Sequence, residues 1–140
     1  MSRIYRLFLS HSWSSPGDRD RLKRLLDSQP LFDFIDYSVS EGGPVQHPSN
    51  DSALFHAIYR ELRLCDVMLV MAGMYSVYSR WMDKELEIAK QGFPTPRPIV
   101  VLKPHANAYV APPVALNADA IVEWNAVEVV DVIKRLAGRL

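Results

Sequence analysis

Residues Val67-Met68-Leu69-Val70-Met71 form an unbroken apolar run inside the segment Asp66 to Ala72. A strand with no polar side has to be covered on both faces, and the architecture that covers it is a parallel sheet with helices above and below. The longest apolar stretch, Val67 to Tyr75, is far too short to cross a bilayer. The run therefore predicts the centre of a layered α/β core.

The flanking segments fit that frame. Ile4 to Leu9 predicts a first strand that empties into the polar loop Ser10 to Gly17. Gly17 or Asp18 can cap the helix that follows, whose apolar stripe is Leu22, Leu25 and Leu26. Phe32 to Tyr37 predicts a second strand, followed by the turn-rich loop Ser38 to Asn50 with Gly42, Gly43, Pro44 and Pro48. A loop of that length in a small domain is usually functional or mobile. Asn50, Asp51 or Ser52 can cap a helix that turns Leu54, Ile58 and Leu62 to the core, with Phe55 on its flank. After the apolar strand come a helix over Ser79 to Lys90, a strand over Pro98 to Leu102, and a proline-bearing stretch, Lys103 to Leu116, without a full helix. A short strand near Ala120 to Glu123 and a closing helix over Ala126 to Leu136, N-capped by Asn125, complete the chain.

Strands and helices alternate throughout, so the expected class is α/β, with residues 1–140 as one domain. The size favours a flavodoxin-like three-layer sandwich around a five-stranded parallel sheet of order 2-1-3-4-5. Ligands of such sheets bind beyond the carboxyl ends of the strands, where the strand order reverses. Here strands one and three flank that point, through the loops Ser10 to Gly17 and Gly73 to Ser79.

Composition narrows the function classes. Sixteen basic and sixteen acidic residues give zero net charge, which leaves no electrostatic footprint for nucleic acid or a membrane. Arg19, Arg21, Lys23 and Arg24 alternate with leucines, as a solvated helix face does. The single cysteine, Cys65, excludes an internal disulfide and predicts a small buried apolar group just before a strand. His11, His47, His56 and His105 lack ligand spacing, so no metal is expected. The first residues carry no signal-peptide pattern, and a cytoplasmic protein is expected.

Glu85 breaks the sorting of charges. At about 100° per residue, Trp81, Met82, Leu86, Ile88 and Ala89 share one arc of their helix, while Asp83, Lys84, Glu87 and Lys90 take the other. Glu85 falls inside the apolar arc. Burying a carboxylate without partners costs several kcal/mol, so either the helix is rotated by a residue, or an arginine or backbone donors hold the group, or it faces a cleft that takes a polar ligand.

Four segments in order carry a resemblance: Leu7-Phe8-Leu9-Ser10-His11-Ser12-Trp13, Asp36-Tyr37-Ser38-Val39, Ser79 to Ala89, and Ile121-Val122-Glu123-Trp124-Asn125. Together they resemble the TIR-like domains of the bacterial Thoeris anti-phage defence type. The most specific parts are the Ser-His-Ser-Trp ending of strand one and the Trp-x-x-x-Glu helix. The resemblance implies a flavodoxin-like fold and, in enzymatic members, cleavage of NAD+ by the glutamate at the Trp-x-x-x-Glu position, which is Glu85 here. Nicotinamide leaves, and the ADP-ribose part becomes a messenger for a separate effector protein.

On that implication NAD+ is the substrate, with no separate cofactor, and Glu85 is the catalytic residue. Ser10, His11 and Ser12 would donate to phosphate or ribose, and Phe8, Trp13 or Tyr37 would stack on a base. Ser38 and Trp81 complete the expected substrate-binding set. The loop Ser38 to Asn50 matches the TIR loop that covers the site and takes part in self-assembly, which implies a homo-oligomer. Each residue also has a packing reading: His11 in a turn, Trp13 at the core edge, Trp81 against its helix neighbours, Tyr37 and Ser38 as a strand end.

Two departures stand out. The loop after strand two reads Ser-Val-Ser-Glu-Gly-Gly-Pro-Val, unlike the acidic and Pro-Gly pattern of animal adaptor TIR domains, and the connection from strand four to strand five is reduced. The alternatives are a non-catalytic TIR-like interaction or nucleotide-binding module, and an FMN-binding flavodoxin-like protein. A phosphoacceptor receiver fits poorly, because strand three ends in Ala72-Gly73 where an aspartate is required. Neither a Gly-x-Ser-x-Gly elbow nor a Gly-Lys-Ser/Thr phosphate loop occurs.

Overall fold

A computed structural model of the chain describes residues 3–38 and 51–138. Among these residues five strands, β1 (Ile4–Leu9), β2 (Asp33–Tyr37), β3 (Val67–Met71), β4 (Ile99–Lys103) and β5 (Ala120–Glu123), alternate with five helices, α1 (Pro16–Asp27), α2 (Asp51–Leu62), α3 (Tyr75–Gln91), α4 (Pro112–Asn117) and α5 (Ala126–Ala137). A short 3-10 turn, His11–Trp13, separates β1 from α1. The strands pair in parallel in the order β2-β1-β3-β4-β5. This is the three-layer α/β sandwich of flavodoxin-like order that the sequence predicts.

Alternation along β3 divides the core. Val67, Leu69 and Met71 join Leu7, Leu9, Leu22, Leu26 and the apolar stripe of α5 on one face. Met68, Val70 and Ala72 join Phe8, Leu54, Ile58, Leu62, Met82 and Leu86 on the other, under α2 and α3. Every residue of β3 is buried, which is the physical content of its unbroken apolar run. Beyond its ends the ladder continues: the Asp66 N–H donates to Arg6 O at 2.7 Å and the Ala72 N–H to Leu102 O at 2.9 Å. β2 is an edge strand, and its residues are half-buried or exposed.

Some boundaries differ from expectation. α1 starts at Pro16 with Ser15 as its N-cap residue, rather than being capped by Gly17 or Asp18. Proline has a preset φ and no N–H to satisfy, so it opens the helix, and Asp18 serves in the first turn opposite the dipole. α3 begins at Tyr75, four residues early, yet Tyr78 has non-helical angles (φ −123°, ψ 29°) inside it. The predicted start at Ser79 thus marks a kink rather than an end. Gly73, at φ 92°, makes the tight exit from β3 that lets the chain turn into that first short segment. α4 is a six-residue helix, so the connection from β4 to β5 is indeed reduced. Asn125 caps α5, its side chain accepting the Glu128 N–H at 3.0 Å. The loop expected over Ser38 to Asn50 lies outside the described residues except for Ser38 itself.

Candidate active site

The carboxyl end of β1 builds the site by a sequence of local hydrogen bonds. The Ser10 N–H extends the ladder to Leu69 O at 3.0 Å. The chain then tightens into the 3-10 turn, in which the Ser12 N–H is taken by Ser10 Oγ at 3.2 Å and the Trp13 N–H by Ser10 O at 3.1 Å. The first amide of a helical turn has no partner within the turn. That amide, of His11, donates to both oxygens of Glu85, at 3.0 Å to Oε1 and 2.9 Å to Oε2.

α3 supplies the other wall. Tyr78, Trp81 and Glu85 are spaced i, i+3, i+7 and so form one stripe of the helix. All three meet His11: its ring stacks flat on Trp81 (centroids 4.2 Å apart, planes 5° apart) and edge-on to Tyr78 (5.0 Å, 81°). Glu85 is 1% exposed and His11 4%. Burial pushes the Glu85 carboxyl up from 4.5 to about 8, against the opposing pull of the His11 N–H. Burial therefore favours the protonated form of the group near neutral pH. Among the described residues no arginine holds it, so the ion-pair explanation of its inward placement does not apply.

The structure sorts the expected substrate contacts. Glu85, His11 and Trp81 are brought together, and Tyr37, at the end of β2 in register with Phe8, packs against the same α2–α3 face. Ser38 is half-buried just beyond it. Ser10 and Ser12 turn their hydroxyls inward: the two Oγ atoms hydrogen-bond each other, and Ser12 Oγ accepts the Met71 N–H at 2.9 Å. They lock β1 to β3 rather than face a ligand. Trp13 is fully buried on the opposite face, its indole N–H donating to Leu69 O at 3.1 Å and its ring 6.1 Å from that of Trp124. Phe8 is fully buried between the sheet and its helices. Neither ring offers a face on which a base could stack, because β1 alternation commits Phe8 to one core and the 3-10 turn swings Trp13 into the other.

Tyr78 and Gly73 join the site beyond the residues that the sequence motifs mark. Tyr78 was findable, since it lies seven residues before Glu85 on the same stripe. Among the described residues, concavities open on this edge of the sheet at two places. One of about 460 Å³ lies between α1, the β3 exit and the segment after β4, with Arg21, Gly73, His105 and Tyr109 in its wall. The other, of about 290 Å³, lies beside Tyr75, Ser76 and Pro112. Glu85 lines neither of them. Among the described residues no group of three or more His, Cys, Asp or Glu is placed to hold a metal ion, and no helix is long and apolar enough to cross a membrane.

Comparison with known proteins adds the family. The family model described as Thoeris protein ThsB, TIR-like domain, matches residues 8–109, a stretch that contains the carboxyl end of β1, the 3-10 turn and the whole Glu85 helix. The crystal structure of a conserved protein from Enterococcus faecalis V583 superposes with a TM-score of 0.58 at 12% identity, over 99% of this chain and 100% of that one. It shares the fold. No curated protein matches the chain.

Proposed function

The chain belongs to the TIR-like domain family of the Thoeris protein ThsB, and on that premise we propose that it processes NAD+, breaking the nicotinamide–ribose bond to make an ADP-ribose-derived messenger in anti-phage defence. The observation that carries the reading is the placement of Glu85, the acidic residue of the Trp-x-x-x-Glu helix, against the carboxyl end of β1 at the sheet's switch point.

The chemistry suits a carboxylate in that position. As the bond from nicotinamide nitrogen to ribose C1′ breaks, its electron pair leaves with the nicotinamide and positive charge develops on the ribose ring. An anionic Glu85 in a dry site stabilises that charge and orients the ribose hydroxyls. The buried acid must first ionise, and the positive charge of the bound nicotinamide ring favours this by lowering its pKa. Water or another hydroxyl then takes C1′. The product would act on a separate effector protein.

A second reading is favoured by one specific feature. Glu85 is buried, its carboxylate held by the His11 N–H beside the stacked His11 and Trp81 rings, as suits a module that binds a nucleotide, or a protein, without cleaving it. Incubation of the purified protein with NAD+, with and without infected-cell lysate, separates the two. Nicotinamide release that is lost in Glu85→Gln supports catalysis; release that persists unchanged in that variant overturns the role of Glu85. Saturable NAD+ binding with no release under either condition establishes the binding module instead.

A further inference from the structure

We infer that the cavity at the amino-terminal edge of the sheet is a binding site for a small phosphate-bearing anion, separate from Glu85. It measures about 320 Å³ and is walled by Arg6 of β1, Arg63 and Cys65 after α2, Asp66, and Thr95 and Arg97 before β4. That volume lies at the small end of ligand sites and suits a pyrophosphate or a mononucleotide.

Charge is concentrated there and largely uncancelled. The single carboxylate in the wall, Asp66, is already engaged by Arg3 at 3.2 Å and by the Arg6 N–H at 2.9 Å. Among the described residues, the guanidiniums of Arg6 and Arg63 have no ion pair. Arg6 lies two residues before Phe8 on the same side of β1, but past the end of α2, so its side chain is exposed instead of covered.

Arg97 is positioned in advance. Its Nη1 donates to Thr95 O at 2.9 Å, its Nη2 to Arg63 O at 3.1 Å, and its plane lies over the Phe93 ring at 4.3 Å. Its Nε is buried with no acceptor among the described residues, a state that buried donors rarely keep. α2 ends at this cavity, and a helix carboxyl end ordinarily repels anions. Here its last carbonyls are taken: Tyr59, Glu61 and Leu62 accept the following amides, and Arg63 accepts Arg97. The Cys65 thiol beneath is pushed far up by burial, then by Asp66 and Glu61, so the floor adds no charge. Three guanidiniums around a neutral floor match the forked, charge-assisted recognition of phosphate oxygens. The five residues of β3, ~16 Å at the rise of a strand, separate this site from the 3-10 turn that holds Glu85.

The test is an amide-resolved NMR titration of the full chain with inorganic pyrophosphate, with AMP in a parallel arm and sodium chloride of equal ionic strength as control. Expected are saturable shifts at Arg6, Cys65, Asp66 and Arg97, and an affinity weakened about tenfold or more in Arg6→Gln/Arg63→Gln, two exposed positions. Glu85→Gln binds as the wild type does. Tighter binding of AMP than of pyrophosphate assigns the site to a nucleotide, and the reverse to free phosphate. Absence of saturable shifts at millimolar ligand, or an unchanged midpoint in the double variant with its thermal midpoint intact, overturns the site.

Discussion

The backbone N–H of His11 is shared by both carboxylate oxygens of Glu85, at 3.0 and 2.9 Å, across 74 residues of chain. One amide for two oxygens is little compensation for a buried carboxylate, and the acid responds by holding its proton. The same contact ties the exit of β1 to the middle of α3, so the burial of the acid acts against the fold at the point where two loops meet.

The first prediction concerns stability against pH. The unfolded chain releases the Glu85 proton near 4.5, whereas the fold keeps it to about 8. Stability from this group is therefore full below pH 4.5, falls as pH rises from there to about 8, and levels off above. The total is on the order of 5 kcal/mol. Urea unfolding of wild type and Glu85→Gln from pH 5 to 8.5 measures it. The variant is expected to lack most of this decline, and parallel curves would contradict the burial argument.

Removing the aromatic cover is expected to hydrate the acid. In Trp81→Ala the ring that stacks on His11 is gone, and the midpoint for Glu85, followed by side-chain carbon NMR, should fall by about a unit or more toward its ordinary value. His11→Ala retains the backbone donor and should move the midpoint in the same direction.

Ser12 is expected to act on stability before anything else. Its Oγ accepts the buried Met71 N–H, and Ser12→Ala leaves that donor without its partner at a cost of ~1–3 kcal/mol. Equilibrium denaturation checks this. A neutral result would return the hydroxyl to the list of groups available to a ligand.

Gly73→Ala isolates a backbone effect. An added Cβ meets nothing within 4 Å, but the residue sits at φ 92°, so the loss should be ~1–2 kcal/mol from conformation alone. Thermal unfolding of the variant against wild type is the measurement.

Patterning along the chain was enough for the layers, the strand order and the inward turn of Glu85. The β3 run needs cover on both faces, Leu54, Ile58 and Leu62 repeat at helical spacing, Asn125 carries a capping side chain, and a carboxylate lies in an apolar arc. These are local periodicities, and periodicity is written in the residues themselves. Which groups meet was decided by tertiary structure. Whether Trp13 faces a ligand or a core depends on the direction taken by a three-residue turn. Whether Ser10 and Ser12 are donors or struts depends on the neighbouring amide of Met71. His11 reaches Glu85 only because β1 lies beside β3, which brings the start of one loop under the helix that follows the other. Contacts between residues far apart in the chain follow from the placement of whole elements, and no window of the sequence contains that placement.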